Sequence, residues 1–570
     1  MKRLGMVILL MSLFLTACGD TGKDAASNKT ASPTGETVEI NLVEHATVLC
    51  YPPAESNAPA LDWKGTGSAT VQERKLRSGD NEVVATGRKK VSDAVELDIT
   101  PYVEETKHYN ISSEFSFTIE QSTVDTIGCE YIITKENDKK ETGVIGLERI
   151  KSYRKVLADG NLDTTGAKKV VLRWYLESCA DADIHITSLQ IKETGTGPDA
   201  ALSYDSMNEL AKKHGFTMGA MINPTLYEDE TYCAIVEKHF GSLTTSNEMK
   251  AYSLLDQSAC IKAAKAGDDE PKMDFETADE LVQYASEHGL GVRGHCLVWD
   301  AYMCEWFFNE GYEDDGKKVS KEVMKKRLES YIRQVVEHFD TKFPGVVYCW
   351  DVVNEAIGDS EGTDYDSDDP CHVRTMRNGE DNLFYRYVGK DYIELAFRYA
   401  RKYAAPETKL FYNDYNNEYF SKRNATVELV KKLNKDTRLV DGVGMQGYFN
   451  LEDGILRSNL DSEGISLEDS VKAFADLGVE VQLTELTVRN YDKAMNESHG
   501  DFYYRLFQKI CELNADKNRI TNVSIWGIMD TPDAVEGDYV YSQSGTYYGI
   551  WDNEYQPKEA FVGILKALAE

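Results

Sequence analysis

Two short stretches put a carboxylate inside or at the end of an apolar run. Residues 350–357 read WDVVNEAI and residues 481–488 read VQLTELTV, which places Glu355 and Glu485 some 130 positions apart. A single carboxylate at a strand end is usually a solvated terminus or half of an ion pair. Two of them on strands of one closed rim can face each other across it. Such a pair suits cleavage of a glycosidic bond, where one carboxyl protonates the leaving oxygen and the other meets the developing oxocarbenium ion. A gap of about 5–5.5 Å lets the second carboxylate attack directly and retains configuration, while about 6.5–9.5 Å admits a water and inverts it. The sequence does not set that gap. The two roles need opposite ionisation states, so each carboxyl needs its own environment. Asn354, beside Glu355, is placed to bond a sugar hydroxyl or to steady its neighbour.

The elements that must position these residues follow from periodicity. After Ser206, eight strand-like runs (TMGAMI, SLTTSN, GVRGHCLVW, VVYCWDVVNE, KLFYNDYN, GVGMQGY, VQLTELTV and NVSIWGI) alternate with helical patterns such as ETADELVQYASEH and SKEVMKKRLESYIRQVVEHF. Ser206 and Glu209 form a capping box that opens the first helix. Eight β-then-α units over 205–570 predict a (β/α)8 TIM barrel, with an open doubly wound sheet as the alternative. On a barrel the active site is built at the C-terminal ends of the strands. There the chain places His295 and Trp299 on the third strand, Asn354 and Glu355 on the fourth, and Asn413 and Asp414 on the fifth. Gln446 and Tyr448 follow on the sixth, Glu485 on the seventh and Trp526 on the eighth. Residues 38–196 carry short alternating runs between turn residues, which predicts an N-terminal β-sandwich. Residues 197–204 read as a hinge between the two.

The totals narrow the function. The 570 residues hold 63 Lys and Arg against 96 Asp and Glu, a formal net charge of -33. That balance disfavours nucleic acid, which is bound through clustered cations. The GVGMQG run formally matches a dinucleotide fingerprint but leads into the loop YFNLEDG, not a helix. No P-loop, HExxH or GxSxG occurs. The eleven cysteines form no C-x-x-C pair and the ten histidines do not cluster with them, so neither a zinc site nor any cofactor is expected. Cys296 and Cys349 read as core thiols, and Cys50 with Cys129 or Cys179 is a candidate disulfide.

The first residues, MKRLGMVILLMSLFLTAC, pair Lys2 and Arg3 with an apolar run too short to span a bilayer comfortably. They resemble a bacterial lipoprotein signal over 1–17. The resemblance implies acylation of Cys18, a tether over 18–37 and an extracytoplasmic, lipid-anchored protein.

The barrel's motifs occur in a telling order. NEMK, GHCLVW, WDVVNEA, YNDYN, GMQG, TEL, WGIMD and GIWDNEYQPKEA together resemble glycoside hydrolase family 10 xylanases. The resemblance implies a retaining endo-β-1,4-xylanase acting on xylan, monomeric and without a cofactor. Glu355 matches the acid/base and Glu485 the nucleophile. Asn247, Lys250, His295, Trp299, Asn354, Gln446 and Trp526 match sugar-binding or supporting positions.

Four departures stand out. Ser246 replaces a Glu before NEMK, and Asp300, Ala301 and Tyr302 replace His-Ser-Gln after Trp299. Tyr448 replaces a His that contacts the nucleophile, and the second Trp expected after WGIMD is absent from TPDAVEGDYV. A phenol still donates a hydrogen bond to a carboxylate but cannot become a cation near neutral pH. The N-terminal segment, through VVATGRKKVSDAVELDITPYVEETKHYNISSEFSF, KKVVLRWYLES and DIHITSLQI, resembles a carbohydrate-binding module of family 22, or of family 4/9. Arg88, Tyr131, Trp174 and Tyr175 are available there for binding or for the core. Two alternatives stay open: a surface glycan-binding lipoprotein with weak or lost catalysis, and a hydrolase of another β-1,4-glycan.

Overall fold

Strand alternation dominates the chain up to Thr194. The strand His108–Thr118 alternates buried and half-buried side chains along its whole length, as a strand does when one face lies on a core. The structure, a computed structural model, describes residues 47–570 except 54–59, 77, 119–122, 152–153, 196, 359–371, 378, 452–465, 493–494, 518 and 531–546. The expected signal segment 1–17, the tether 18–37 with Cys18, and the segment 531–540 lie outside the described residues.

The N-terminal strands form two antiparallel sheets. One runs Thr70–Lys75, Asn81–Thr86, Asp183–Thr194, His108–Thr118, Val156–Asp163, with Thr47–Tyr51 added on Asp183–Thr194. The other runs Trp63–Gly65, Val95–Asp98, Ala167–Leu176, Val124–Lys135, Lys140–Lys151. Their inner faces share one core of Phe115, Phe117, Ile184, Leu172 and Trp174. Trp174 donates its indole N–H to Ser113 Oγ at 3.1 Å. Arg88 is buried too and donates to the carbonyls of Asp93, Cys179 and Ala182. Trp174 and Arg88 therefore build the sandwich interior, whereas Tyr131 and Tyr175 stay partly exposed. Cys50, Cys129 and Cys179 are free thiols here, so neither candidate disulfide is formed. The stretch 197–204 carries a helix, Gly197–Ser203, rather than an open connection. Ala201 and Tyr204 pack into the next core, Tyr204 edge-on to Phe561 at 5.2 Å.

The second core is a closed barrel. Its eight parallel strands are Thr217–Ile222, Ser242–Thr245, Gly291–Trp299, Val347–Asn354, Lys409–Asp414, Gly442–Met445, Glu480–Arg489 and Ile520–Ile525. Closure comes from pairing of the first with the eighth, Thr217 opposite Asn522. These strands are buried on both faces, which is why their sequences read as nearly unbroken apolar runs. Each is followed by a helix, from Glu230–His239 to Glu559–Ala569. Ser206 caps the helix before the first strand by accepting from the Glu209 N–H. Strand six turns at Gln446-Gly447, where Gly447 has φ +81°, and resumes as Tyr448–Asn450 alongside strand seven. That turn aims Gln446 at the carboxylate after strand four and Tyr448 at the one in strand seven. Among the described residues no helix is long and apolar enough to cross a membrane.

Candidate active site

Glu355 is the first residue past strand four, and its backbone is left-handed at φ +54°. A side chain in that region costs about 1–2 kcal/mol relative to right-handed backbone, so neighbours must hold it there. The Glu355 N–H donates to the Asn413 carbonyl at 2.8 Å. Its own carbonyl accepts from Arg374 Nε at 3.3 Å and Arg377 Nη2 at 3.2 Å. The carboxylate is then fixed from three sides. Gln446 Nε2 donates to Oε1 at 2.8 Å, Trp299 Nε1 donates to Oε2 at 3.0 Å, and Arg377 Nη1 pairs with Oε2 at 2.9 Å.

Glu485 lies within strand seven and points into the same rim. Tyr448 donates its phenol to Oε2 at 2.6 Å, and Asn413 Nδ2 donates to Oε1 at 3.2 Å. His295 Nε2 stands 4.0 Å from Oε1, while its Nδ1 bonds Asp351 at 2.9 Å. Asp351 is gripped in turn by the buried Arg293, whose guanidinium it keeps above the ordinary range against the opposing pull of burial. A charged ladder thus rises inside the barrel from Arg293 through Asp351 and His295 toward Glu485.

The two carboxyls are joined through amides. Asn413 Nδ2 donates to Asn354 Oδ1 at 3.0 Å as well as to Glu485, and Gln446 Nε2 approaches Asn354 Oδ1 at 3.4 Å as well as bonding Glu355. This accounts for the carboxamide beside Glu355: Asn354 is the hub that sets strands five and six against strand four.

On the neighbouring rim, Lys250 Nζ donates to Asn247 Oδ1 at 3.1 Å and lies 4.8 Å over the Trp299 ring. Asn247 Oδ1 also accepts from Tyr252 at 2.6 Å, and its Nδ2 reaches Ser246 Oγ at 3.3 Å. Trp526 follows strand eight and meets the His295 ring at 6.2 Å. Glu355, Glu485, Asn354, Gln446, Tyr448, Trp299, His295 and Trp526 thus form one contiguous cluster, with Asn247 and Lys250 reaching it through Trp299.

Burial acts alike on the two acids, but their partners differ. Burial raises the Glu355 carboxyl, yet the Arg377 charge, the Gln446 and Trp299 hydrogen bonds and the Lys422 charge outweigh it and leave Glu355 below the ordinary range. Burial also raises Glu485. There the His295 charge and the Tyr448 hydrogen bond do not cancel it, and the negative Glu355 adds to the rise. The two carboxyls are thus shifted in opposite directions, Glu355 downward and Glu485 upward.

Three participants carried little or no sequence signal. Arg377 belongs to a two-stranded hairpin, Met376–Arg377 with Glu380–Asp381, in a long excursion without periodicity. Asp300 was visible only as a departure after Trp299; it binds Arg377 through both oxygens, at 2.9 and 3.2 Å. Lys422, wholly buried, pairs with Asp414 at 2.8 Å. The third altered residue on this rim, Tyr302, is 79 % exposed, left-handed at φ +56°, and edge-on to Trp299 at 5.5 Å. Among the described residues no group of three or more His, Cys, Asp or Glu is arranged to hold a metal ion.

Comparison with known proteins places this geometry. The model of glycosyl hydrolase family 10 matches residues 206–567. Endo-1,4-beta-xylanase A of Thermotoga neapolitana is 35 % identical over 363 residues, 62 % of this chain and 30 % of its own length. The chain likewise spans 30 % of the Thermotoga maritima counterpart. A putative endo-1,4-beta-xylanase of Caldicellulosiruptor saccharolyticus is 36 % identical over 333 residues, 56 % of this chain and 96 % of its own. Among solved structures, the CBM22-1–GH10 modules of Clostridium thermocellum endo-1,4-beta-D-xylanase 10B, complexed with xylohexaose, cover 88 % of this chain and 94 % of their own. The TM-score is 0.54 and the identity 23 %, so this likeness speaks to fold, over the sandwich as well as the barrel. The ordered motifs, the closed barrel and the family match agree: this chain belongs to glycosyl hydrolase family 10.

Proposed function

We propose that the protein is an endo-hydrolase of β-1,4-xylosidic bonds in xylan that retains configuration by double displacement. The observation that carries this is the pair of buried carboxyls at the rim, Glu355 and Glu485, linked through Gln446, Asn354 and Asn413. Glu355 donates its proton to the leaving glycosidic oxygen while Glu485 attacks the anomeric carbon. Glu355, now a carboxylate, takes a proton from water as that water releases the sugar from Glu485. Asn354, Gln446, Asn247, Lys250 and His295 offer donors and acceptors to the sugar hydroxyls, and Trp299 and Trp526 offer ring surface.

Loss of reducing-sugar release from xylan in Glu355→Ala and Glu485→Ala tests the pair. Added azide separates their roles. It should rescue Glu355→Ala to a glycosyl azide of retained configuration, and Glu485→Ala to one of inverted configuration. Activity that survives either substitution unaided would sink the assignment. Comparing xylan with mixed-linkage glucan and cellulose decides the substrate.

The Arg377 ion pair on the Glu355 carboxylate at 2.9 Å, which favours the ionised form of the expected acid, supports a second reading, a glycan binder with weak catalysis. A wild-type rate at the level of Glu485→Ala would establish it. The sandwich is assigned as a glycan-binding module, supported by its half-exposed Tyr175 beside the Arg173–Glu130 pair at 2.8 Å. The signal-like first 18 residues support anchorage through an acylated Cys18 at a bacterial membrane. Incorporation of labelled fatty acid, abolished by Cys18→Ala, tests that assignment.

A further inference from the structure

We propose that Arg377, braced by Asp300, is a positioning residue that sets the resting protonation of Glu355 and thereby the pH at which the enzyme works. The proposal rests on Glu355 acting as the acid/base.

Glu355 does not need Arg377 for orientation alone. Trp299 and Gln446, both neutral, already hold one oxygen each. What Arg377 adds is charge, fixed in place: its guanidinium binds Asp300 through Nε and Nη2, the Glu355 carbonyl through Nη2, and the Glu355 carboxylate through Nη1. One planar fork is thus committed to two carboxylates at once, a geometry a lysine cannot reproduce donor for donor. Asp300 and Arg377 are both largely buried, with side-chain exposures of 3 % and 19 %, so solvent screens the pair little.

Other ionisable groups surround Glu355 as well, among them Arg374, which donates to its backbone carbonyl at 3.3 Å. Asp300 follows strand three and is taken up by Arg377. On strand five, Asp414 is paired with Lys422 of the helix Phe420–Leu433, and the Lys422 charge adds to that of Arg377 in favouring ionised Glu355. Across the rim, His295 on strand three faces Glu485 on strand seven at 4.0 Å. Arg377 pairs directly with the Glu355 carboxylate.

The two chemical steps pull in opposite directions. The first needs Glu355 protonated and the second needs it ionised; a permanent cation at 2.9 Å hinders the first and favours the second. The pair titrates together, so the observable values belong to the pair. For a bell-shaped profile the optimum lies midway between the two apparent values. Their sum contains the intrinsic value of Glu355 whichever carboxyl loses its proton first. An opposite charge this close lowers a carboxyl by about 1–3 units, so removing it moves the optimum of kcat/KM up by about 0.5–1.5 pH units.

The test is the pH profile of kcat/KM on xylohexaose for the full chain and three variants: Arg377→Met, Arg377→Lys, and the double variant Arg377→Met with Asp300→Asn. The double variant leaves neither charge buried alone and decides the matter if Arg377→Met fails to fold. The expected result is an optimum raised by at least half a unit in Arg377→Met and in the double variant, with Arg377→Lys close to wild type. An even loss across all pH with the optimum unmoved would reduce Arg377 to a brace and overturn the proposal; so would a shift in Arg377→Lys as large as in Arg377→Met. Failure of the Glu355 assignment is read separately, from activity that persists in Glu355→Ala.

Discussion

Replacing Tyr448 with Phe removes one oxygen and leaves the ring in place. That oxygen donates to Glu485 at 2.6 Å, the short contact of a charge-assisted O–H···O⁻ bond. Glu485 then keeps the Asn413 amide at 3.2 Å and His295 at 4.0 Å. A hydrogen bond to a charged group contributes about 1.5–3 kcal/mol, which corresponds to a rise of about 1–2 units in the Glu485 carboxyl. The sign follows from the bond stabilising the ionised form: without it Glu485, already raised by burial, holds its proton more tightly. On the proposed mechanism the attacking carboxylate becomes rarer by about ten- to 100-fold at a pH between the two apparent values, and kcat/KM falls by that factor. The optimum moves up by about half of the 1–2 units. Steady-state kcat/KM on xylohexaose from pH 3 to 9 measures both, with a thermal melt to confirm folding. A Tyr448→Phe enzyme within twofold of wild type, its optimum unshifted, would show that the phenol does not support the nucleophile.

Other substitutions probe neighbouring claims. Tyr448→His introduces a ring that can become cationic, so the acidic limb of the pH–rate profile should move; an unchanged limb contradicts the view that the phenol gives support independent of pH. Tyr302→Ala removes the exposed ring beside Trp299, and KM for long xylooligosaccharides should rise about two- to twelvefold with kcat nearly constant, the equivalent of about 0.5–1.5 kcal/mol of aromatic contact. Unchanged KM across chain lengths would remove Tyr302 from the substrate path. Lys558→Met leaves the buried Asp530 carboxylate without its partner at 2.7 Å, at a cost of about 3–5 kcal/mol near neutral pH. Burial raises Asp530 to about 6; the folded state therefore binds that proton more tightly than the unfolded chain, and stability falls as pH rises through that value. The deficit of Lys558→Met, read by urea unfolding, should be smaller at pH 4.5 than at pH 7.5.

Much of the barrel was legible because strands buried on both faces cannot hide their composition. Strand three emerges with the residues its apolar run predicted, and strands four and seven within one residue at each end. Strand six did not, since GVGMQGY is split by the Gly447 turn, a backbone event with no hydrophobic signature. In the sandwich, alternation located the strands but could not tell which aromatic faces inward: Trp174 is core whereas Tyr175, one step along, faces out. At the rim, residues in strand-end motifs announced themselves through chemistry set in an apolar background. Arg377 could not, because one arginine among many in an irregular excursion carries no period, and only the hairpin brings it to Glu355. The ionisation order was likewise invisible, because it depends on that contact.

The left-handed backbone at Glu355 has an evolutionary corollary. Glycine adopts that conformation without steric penalty, but removing the carboxylate would leave the Arg377, Trp299 and Gln446 donors without their acceptor. In a lineage with no use for the carboxylate, drift at this position would be drawn toward glycine by the main chain and held back by the donors such a swap would strand.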